Sequence, residues 1–522
     1  MSSEKIYDAL TDIREEYIDE ASGHKLRKSR KAVVRWCAIA ASLVFVVGIG
    51  SYMLANIGSL PTLGGSAVGR GSGRANPMDG STVFMSYAGP VFPLSVLGDA
   101  SGMTAVRDIA FDFSGFGESR TTGDGVMLRH SDVRVSDAYI LANDTATDKT
   151  LQLLYPFAGS FADLHRLLPK VTLDGGMLET ELIAGVYSGG FIGFDGHEDW
   201  AINLWPINSW DDYVSLLADG RYLQRALGDA PVLDQVVIVY EFANVRADHT
   251  QGVAPTLAAT FDIDFGRTTV MTYMFNGASI DIESGFMRRS FFVPREGSRY
   301  DRSYYMIVAG DDVSNMTVQG FKNGGCHAGE EMDVTADVTR YEAVLGDILA
   351  LLLYDYLLDD WVIETGDYRE AIDMAMLYKA AVELLSDYGL LYENAIFRYG
   401  IGELTDIFME TLIMDRVFYL AAEIVIPAGE SVSLSVDMIK AGSFDFYGSG
   451  SGNVGIYGYD LMTRLGSNLM FLSQSAGLRG AESIEIVKQN FGFDPANNVL
   501  RVTLDPDEPR YFLEVRNVML GR

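Results

Sequence analysis

Metal binding, nucleophilic attack and phosphate binding each need particular side chains at particular spacings, and this chain offers few of them. Structural zinc needs clustered cysteines and histidines. The 522 residues hold two cysteines and six histidines. Only Cys326 and His327 adjoin, inside the glycine-rich run 324–329, and no second pair follows. That run reads as a loop with a free thiol. His197-Glu198 lacks the second histidine of a zinc-protease helix. No Gly-x-Ser-x-Gly nucleophile elbow occurs. The run 448–453, Gly-Ser-Gly-Ser-Gly-Asn, lacks the Gly-Lys-Ser/Thr of a phosphate loop and reads as a flexible hairpin tip. Acidic pairs stand at 211–212, 262/264, 311–312, 359–360 and 505/507, none with the spacing of a calcium loop. Asp262 and Asp264 alternate along a strand and share one face, which reads as solvated. No cofactor is expected, although calcium would suit the acidity. Trp200, Trp205 and Trp210 lie near Tyr213 in sequence, and their rings would serve either as a platform for a carbohydrate or peptide or as core.

The element that must position everything else is the apolar segment 34–57. Residues 36–57 carry no charged side chain, and about 20 such residues span a bilayer as a helix. Lys25, Arg27, Lys28, Arg30, Lys31 and Arg35 precede it, and the next base is Arg70. The positive-inside rule then predicts a cytoplasmic N-terminus and an extracellular C-terminal part. The length ahead of the apolar run argues against a cleaved signal peptide. Within the tail 1–33, Ile6, Leu10, Ile13 and Tyr17 fall on one helical stripe. A lone short helix lacks a core of its own, so the stripe predicts a cytoplasmic partner such as a regulator. Residues 58–79 form a Gly/Ser-rich linker.

Seven of the 71 acidic and eight of the 40 basic residues lie at or before Arg35, so 64 acids and 32 bases follow it. The net charge of −31 therefore belongs to the outer region, which would repel nucleic acid. Cys37 lies in the apolar segment and Cys326 far beyond it, so no disulfide between them is expected. A secreted domain without disulfides suits a bacterial surface. With 54 glycines and 14 prolines, the pattern over 80–334 is mostly β, and 133–143 and 150–157 read as a hairpin. Ser209 and Asp212 form a capping box that opens one helix to about residue 227. The period turns helical over 335–421, with apolar stretches at 338–359, 368–388 and 403–420, and β returns over 422–522. The fold class is α+β, a sandwich-type β-rich region with a helical insert behind one transmembrane helix.

Two resemblances accompany these readings. The run Glu4-Lys5-Ile6-Tyr7-Asp8-Ala9-Leu10, the later Tyr17-Ile18-Asp19-Glu20-Ala21 and the anchor start Arg35-Trp36-Cys37-Ala38 resemble single-pass Gram-positive-type membrane proteins, some similar to membrane-bound anti-sigma factors. The tail departs from the zinc-type members, since His24 stands without the His-x-x-x-Cys-x-x-Cys pattern. The strands at 135–143 and 151–157 resemble an immunoglobulin-like pair of bacterial surface proteins. The expectation is a non-enzymatic membrane-anchored sensor or binding protein. A structural or adhesive surface protein is the alternative, and an envelope hydrolase comes third.

Overall fold

The computed structural model describes residues 80–121, 127–187, 209–298, 301–358, 372–387, 389–391 and 403–518. The stripe Ile6, Leu10, Ile13 and Tyr17, the apolar segment 34–57, the linker up to residue 79, and Trp200 and Trp205 lie outside them. No helix of the described residues is long and apolar enough to cross a membrane.

Three groups of strands follow the chain. The first holds β1 (Met103–Asp112), β2 (Val133–Asn143), β3 (Lys149–Gly159) and β4 (Glu181–Tyr187). The second holds β5 (Val236–Ala247), β6 (Thr256–Asp262), β7 (Thr268–Tyr273), β8 (Gly277–Asp281), β9 (Phe286–Phe292), β10 (Tyr304–Gly310), β11 (Ser314–Phe321) and β12 (Val334–Val344). The third holds β13 (Arg416–Ile426), β14 (Ser431–Lys440), β15 (Ile456–Met462), β16 (Met470–Arg479), β17 (Ile484–Gln489) and β18 (Arg510–Asn517). The helices are α1 (Leu164–Leu167), α2 (Trp210–Leu217), α3 (Arg221–Leu227), α4 (Leu345–Leu358), α5 (Met374–Asp387) and α6 (Leu404–Ile413).

The first and third groups interleave. β1 buries every second residue, the period a strand shows when one face is covered. It sits in a seven-stranded sheet whose centre runs β16-β1-β2-β14. β3 sits in a four-stranded sheet, between β13 and Ser95–Leu97, with β4 beyond β13. The expected hairpin of 133–143 with 150–157 is thus corrected: the two strands pair with other strands in different sheets. The chain turns as an arch from one sheet into the other, and β13–β14 forms a second arch beside it. Asn143 pins the shared corner, donating from Nδ2 to Thr147 O at 2.8 Å and to Ile426 O at 2.9 Å. Gly429 N returns a bond to Asn143 O at 3.0 Å. The run Pro427-Ala428-Gly429-Glu430 makes the turn of the second arch, with Glu430 N bonded to Pro427 O and Gly429 at φ 73°.

β13 is buried continuously from Arg416 to Leu420 because both its faces are covered. On one face Val417 and Tyr419 meet Tyr213 of α2 and Tyr222 of α3. On the other, Phe418 stacks on Phe157 of β3 at 5.4 Å, and Tyr155 reaches Asp137 of β2 across the sandwich at 2.9 Å. That inner layer holds an ion pair. Arg107 and Asp137 are both 0% exposed and bond twice at 2.8 Å. Tyr139 and Tyr155 also donate to Asp137, while Arg107 donates to Phe92 O and Met462 O.

The second group is a sandwich of its own, with sheets β7-β10-β5-β12 and β8-β9-β6-β11. Phe242, Val270 and Met306 of one sheet meet Leu257, Phe261, Met287 and Phe291 of the other. Its ends adjoin, since Val236 of β5 pairs with Val344 of β12. The sheets therefore do not divide at 334/335 and 421/422 as the sequence reading has it. Residues 236–344 stand as an insertion, and β13, read as helix up to residue 420, pairs with β3. Residues 334–344 are a strand and not the opening of the helical segment, because β12 runs along β5 through its whole length. The helix expected over 209–227 opens on the capping box at Ser209 and Asp212. It breaks in two at Gly220, whose φ of 73° is outside the helical range.

Candidate functional site: a charged recess between two sheets

At the end of the sandwich away from the Asn143 corner, Val133 pairs with Lys440 and Gly159 with Arg416. A cavity of about 140 Å³ lies between these strand ends. Its apolar wall includes Phe92, Phe157, Leu167, Met438 and Phe444, and its charged wall is Arg129, Asp163, Arg166, Asp415 and Lys440.

Local structure fixes each charge. Leu434, Val436 and Met438 of β14 are buried, and the same period carries Lys440 inward. Lys440 is 6% exposed and donates to Ala88 O at 2.5 Å. Ser160 caps the turn that leads into α1 by accepting from Asp163 N. This brings Asp163 and Arg166 together, with Arg166 Nη2 donating to Asp163 Oδ2 at 3.2 Å. Arg129 spans both oxygens of Asp163 at 2.7 and 3.2 Å. Asp132 closes the turn after Arg129 by accepting from Arg129 N at 2.8 Å, and it receives Arg166 Nη1 at 2.5 Å. Asp415 stands between α6 and β13, accessible yet part of the recess wall.

The set is not saturated. Among the described residues, Arg166 Nε and Asp132 Oδ1 are buried with no hydrogen-bond partner. Such an atom costs about 1–3 kcal/mol when nothing meets it. An ammonium has three donors, and one from Lys440 goes to Ala88 O. Burial pushes the Lys440 ammonium down to about 8, against the charges of Asp415, Asp460 and Asp132. The protein walls around Asp415, helped by the charge of Asp163, push its carboxyl up to about 6, while Lys440 and Arg416 pull it down. Perturbed acids and bases gathered in a cleft mark functional sites more often than plain surface does. A space of this size has room for roughly six to eight non-hydrogen atoms, and its lining offers both cationic and carboxylate side chains.

The residues singled out from sequence lie elsewhere or have another use. Tyr213 is 2% exposed and packs on Phe92 at 5.5 Å and Tyr87 at 5.9 Å. The platform reading is corrected there, since a buried ring presents no face to a ligand. Trp210 is half-buried, with the Arg510 guanidinium over its ring at 5.5 Å. Cys326 is a free, buried thiol in a loop. Asp262 accepts from Asn315 at 2.7 Å and Asp264 from Gly266 N at 2.9 Å, each locally engaged. Among the described residues no group of three or more His, Cys, Asp or Glu is placed to hold a metal ion. No contiguous motif marks the recess residues, because they come from five separate stretches of chain. The available signal was Lys440, a charge on the apolar face of an alternating strand. No family model matches the chain, and no curated protein matches it.

Proposed function

We propose that this chain is a membrane-anchored extracytoplasmic binding protein whose ligand site is the recess between β3, β13 and β14. One observation carries the reading: a cavity of about 140 Å³ is lined by Arg129, Asp163, Arg166, Asp415 and the buried Lys440, and next to it Arg166 Nε and Asp132 Oδ1 are buried without a hydrogen-bond partner. Buried polar groups are normally matched by protein, water or ligand. The uncharged segment 36–57 and the basic residues before it support the anchor and its orientation. The stripe Ile6, Leu10, Ile13 and Tyr17 supports a further role, in which the tail reports through the membrane to a cytoplasmic regulator. Binding, and not turnover, is the activity proposed.

The binding claim is tested by ligand-observed NMR with a set of polar fragments of eight or fewer heavy atoms, on the wild-type chain and Lys440→Met. Fragments that lose their signal in the variant support it, and a screen with no such fragment overturns it. The signalling claim is tested by crosslinking in cells. Leu10→Asp with Ile13→Asp should abolish capture of a cytoplasmic protein; unchanged capture leaves the anchored chain an adhesive or structural surface protein.

A further inference from the structure

Residues 443–458 make a hairpin whose tip is the glycine-rich run 448–453. Ser443 pairs with Gly458 and Phe444 with Tyr457. Asp445 then turns inward: it is buried, and it accepts from Met85 N at 2.6 Å and from Asn453 Nδ2 at 3.3 Å. Serine hydroxyls hold the turn, Ser449 Oγ accepting from Ser451 N and Ser451 Oγ from Asn453 N. Open space surrounds Gly448 and Gly450. The side chains at this tip are apolar. Tyr447 is 94% exposed and Phe446 41%, with Met85 at 42% on the segment beside them. A ring as exposed as that of Tyr447 adds nothing to a core. Residues 446–459 carry no charged side chain in a chain of net charge −31. On the strands behind, charges oppose one another: Arg516 lies 3.8 Å from Glu485 and Lys488 4.0 Å from Glu514.

We infer that this tip rests in the lipid interface of the membrane that holds the anchor, with the side chains of Phe446, Tyr447 and Met85 at headgroup depth; this rests on residues 36–57 spanning the bilayer. Amphipathic rings prefer that depth, and an uncharged tip approaches an anionic leaflet without the repulsion an acidic surface meets. Position along the chain selects lipid over a protein partner. The described residues begin at Gly80, and Ser86 exchanges both backbone bonds with Phe444, at 3.0 and 2.9 Å. The tip is therefore tied to the point where the chain enters the domain. Only residues 58–79 separate that point from the anchor, and a Gly/Ser-rich stretch of that length has an r.m.s. reach of about 25 Å. Tethering at such a reach gives the bilayer a high effective concentration at the tip.

The test is photo-crosslinking of the full chain in nanodiscs of phosphatidylcholine and phosphatidylglycerol. A fraction of the lipid carries a diazirine near its headgroup, and peptide mass spectrometry reads the labelling. Peptides from 36–57 report the anchor, and Met177, 71% exposed on the seven-stranded sheet, gives the background. The peptide holding Phe446 and Tyr447 should carry at least five times the lipid of the Met177 peptide. Phe446→Ser with Tyr447→Ser should cut labelling of the Met85 peptide at least fivefold, with a thermal melt checking the fold. If that variant melts early, Tyr447→Ser alone gives the reading, since its ring is exposed. Tip labelling no higher than that of Met177, with 36–57 labelled, overturns this inference alone. So does Met85 labelling unchanged in a folded variant. Labelling of neither segment overturns the anchor with it.

Discussion

A single charged residue on the apolar face of a strand is visible in a sequence as a break in alternation. Lys440 follows Leu434, Val436 and Met438 on that face, Arg107 follows Ala105, and Asp137 follows Val135. Each is buried. What the alternation does not tell is whether the buried charge is matched. Arg107 and Asp137 are matched by each other, by the Tyr139 and Tyr155 hydroxyls and by the Phe92 and Met462 carbonyls, so they act as a strut. Replacing Arg107 with Met leaves Asp137 buried and unpaired, and should lower stability by about 3–5 kcal/mol in urea titrations; a loss under 1 kcal/mol would contradict the strut. Lys440 behaves in the opposite sense. Its native pKa of about 8 lies below its ordinary value of 10.5, so the unfolded chain binds more protons between those values and stability rises with pH across that window. Lys440→Met should stabilise the protein at pH 7 by about 1–3 kcal/mol and flatten the rise above pH 8, as urea midpoints at pH 7, 9 and 10 would show. Asp415 has its native carboxyl raised to about 6 from 3.8. Stability attributable to it is therefore present in acid and falls as pH climbs from about 4 to 6, and Asp415→Asn should remove that fall.

Elements are legible in the sequence where one period dominates, and obscure where the chain passes from one sheet to another or a strand is buried on both faces. The capping box at Ser209 and Asp212 and the turn at 427–430 were legible because a few adjacent residues make them. The arches were not. Nothing local distinguishes the five residues 144–148 as a hairpin loop from the same residues as a corner between sheets. The difference lies in Asn143, whose amide bonds a carbonyl almost 300 positions later in the chain. Strand β13 misled in another way: buried on both faces, it lost alternation and read as the end of a helix. Strand β12 carries Thr335, Asp337, Thr339 and Arg340 on a long sheet edge, where polar side chains guard against pairing with other chains. Asn143→Ala should expose the corner, costing about 1–3 kcal/mol by leaving the buried Ile426 O without that donor. Thermal melts check this, and an unchanged midpoint would mean the arches hold without the pin.

At the scale of the molecule, composition and charge pointed to a β-rich acidic region, and the sheets agree with that. Which strands associate is not legible in the sequence, since β2 with β14 and β3 with β13 join residues 257 to 307 positions apart. The insertion 236–344 accounts for about a third of that separation. Its ends meet at Val236 and Val344, and Leu345 N and Gly346 N bond back to Gln235 O and Leu233 O at 2.9 Å. A unit with adjoining ends and its own core can fold alone. Residues 232–346 expressed by themselves should melt cooperatively by circular dichroism, and a featureless melt would show that the insertion depends on its host. The recess belongs to the other sandwich, built from both flanks of the insertion, and this is why no contiguous motif marks it.

The central claim is that the recess is occupied by a ligand through Lys440 and Asp415. A crystal structure of residues 77–522 soaked with the strongest-binding fragment tests it most directly. Density within hydrogen-bond distance of both Lys440 Nζ and an Asp415 oxygen is the result predicted. Density elsewhere on the protein, with the recess unchanged, would contradict it.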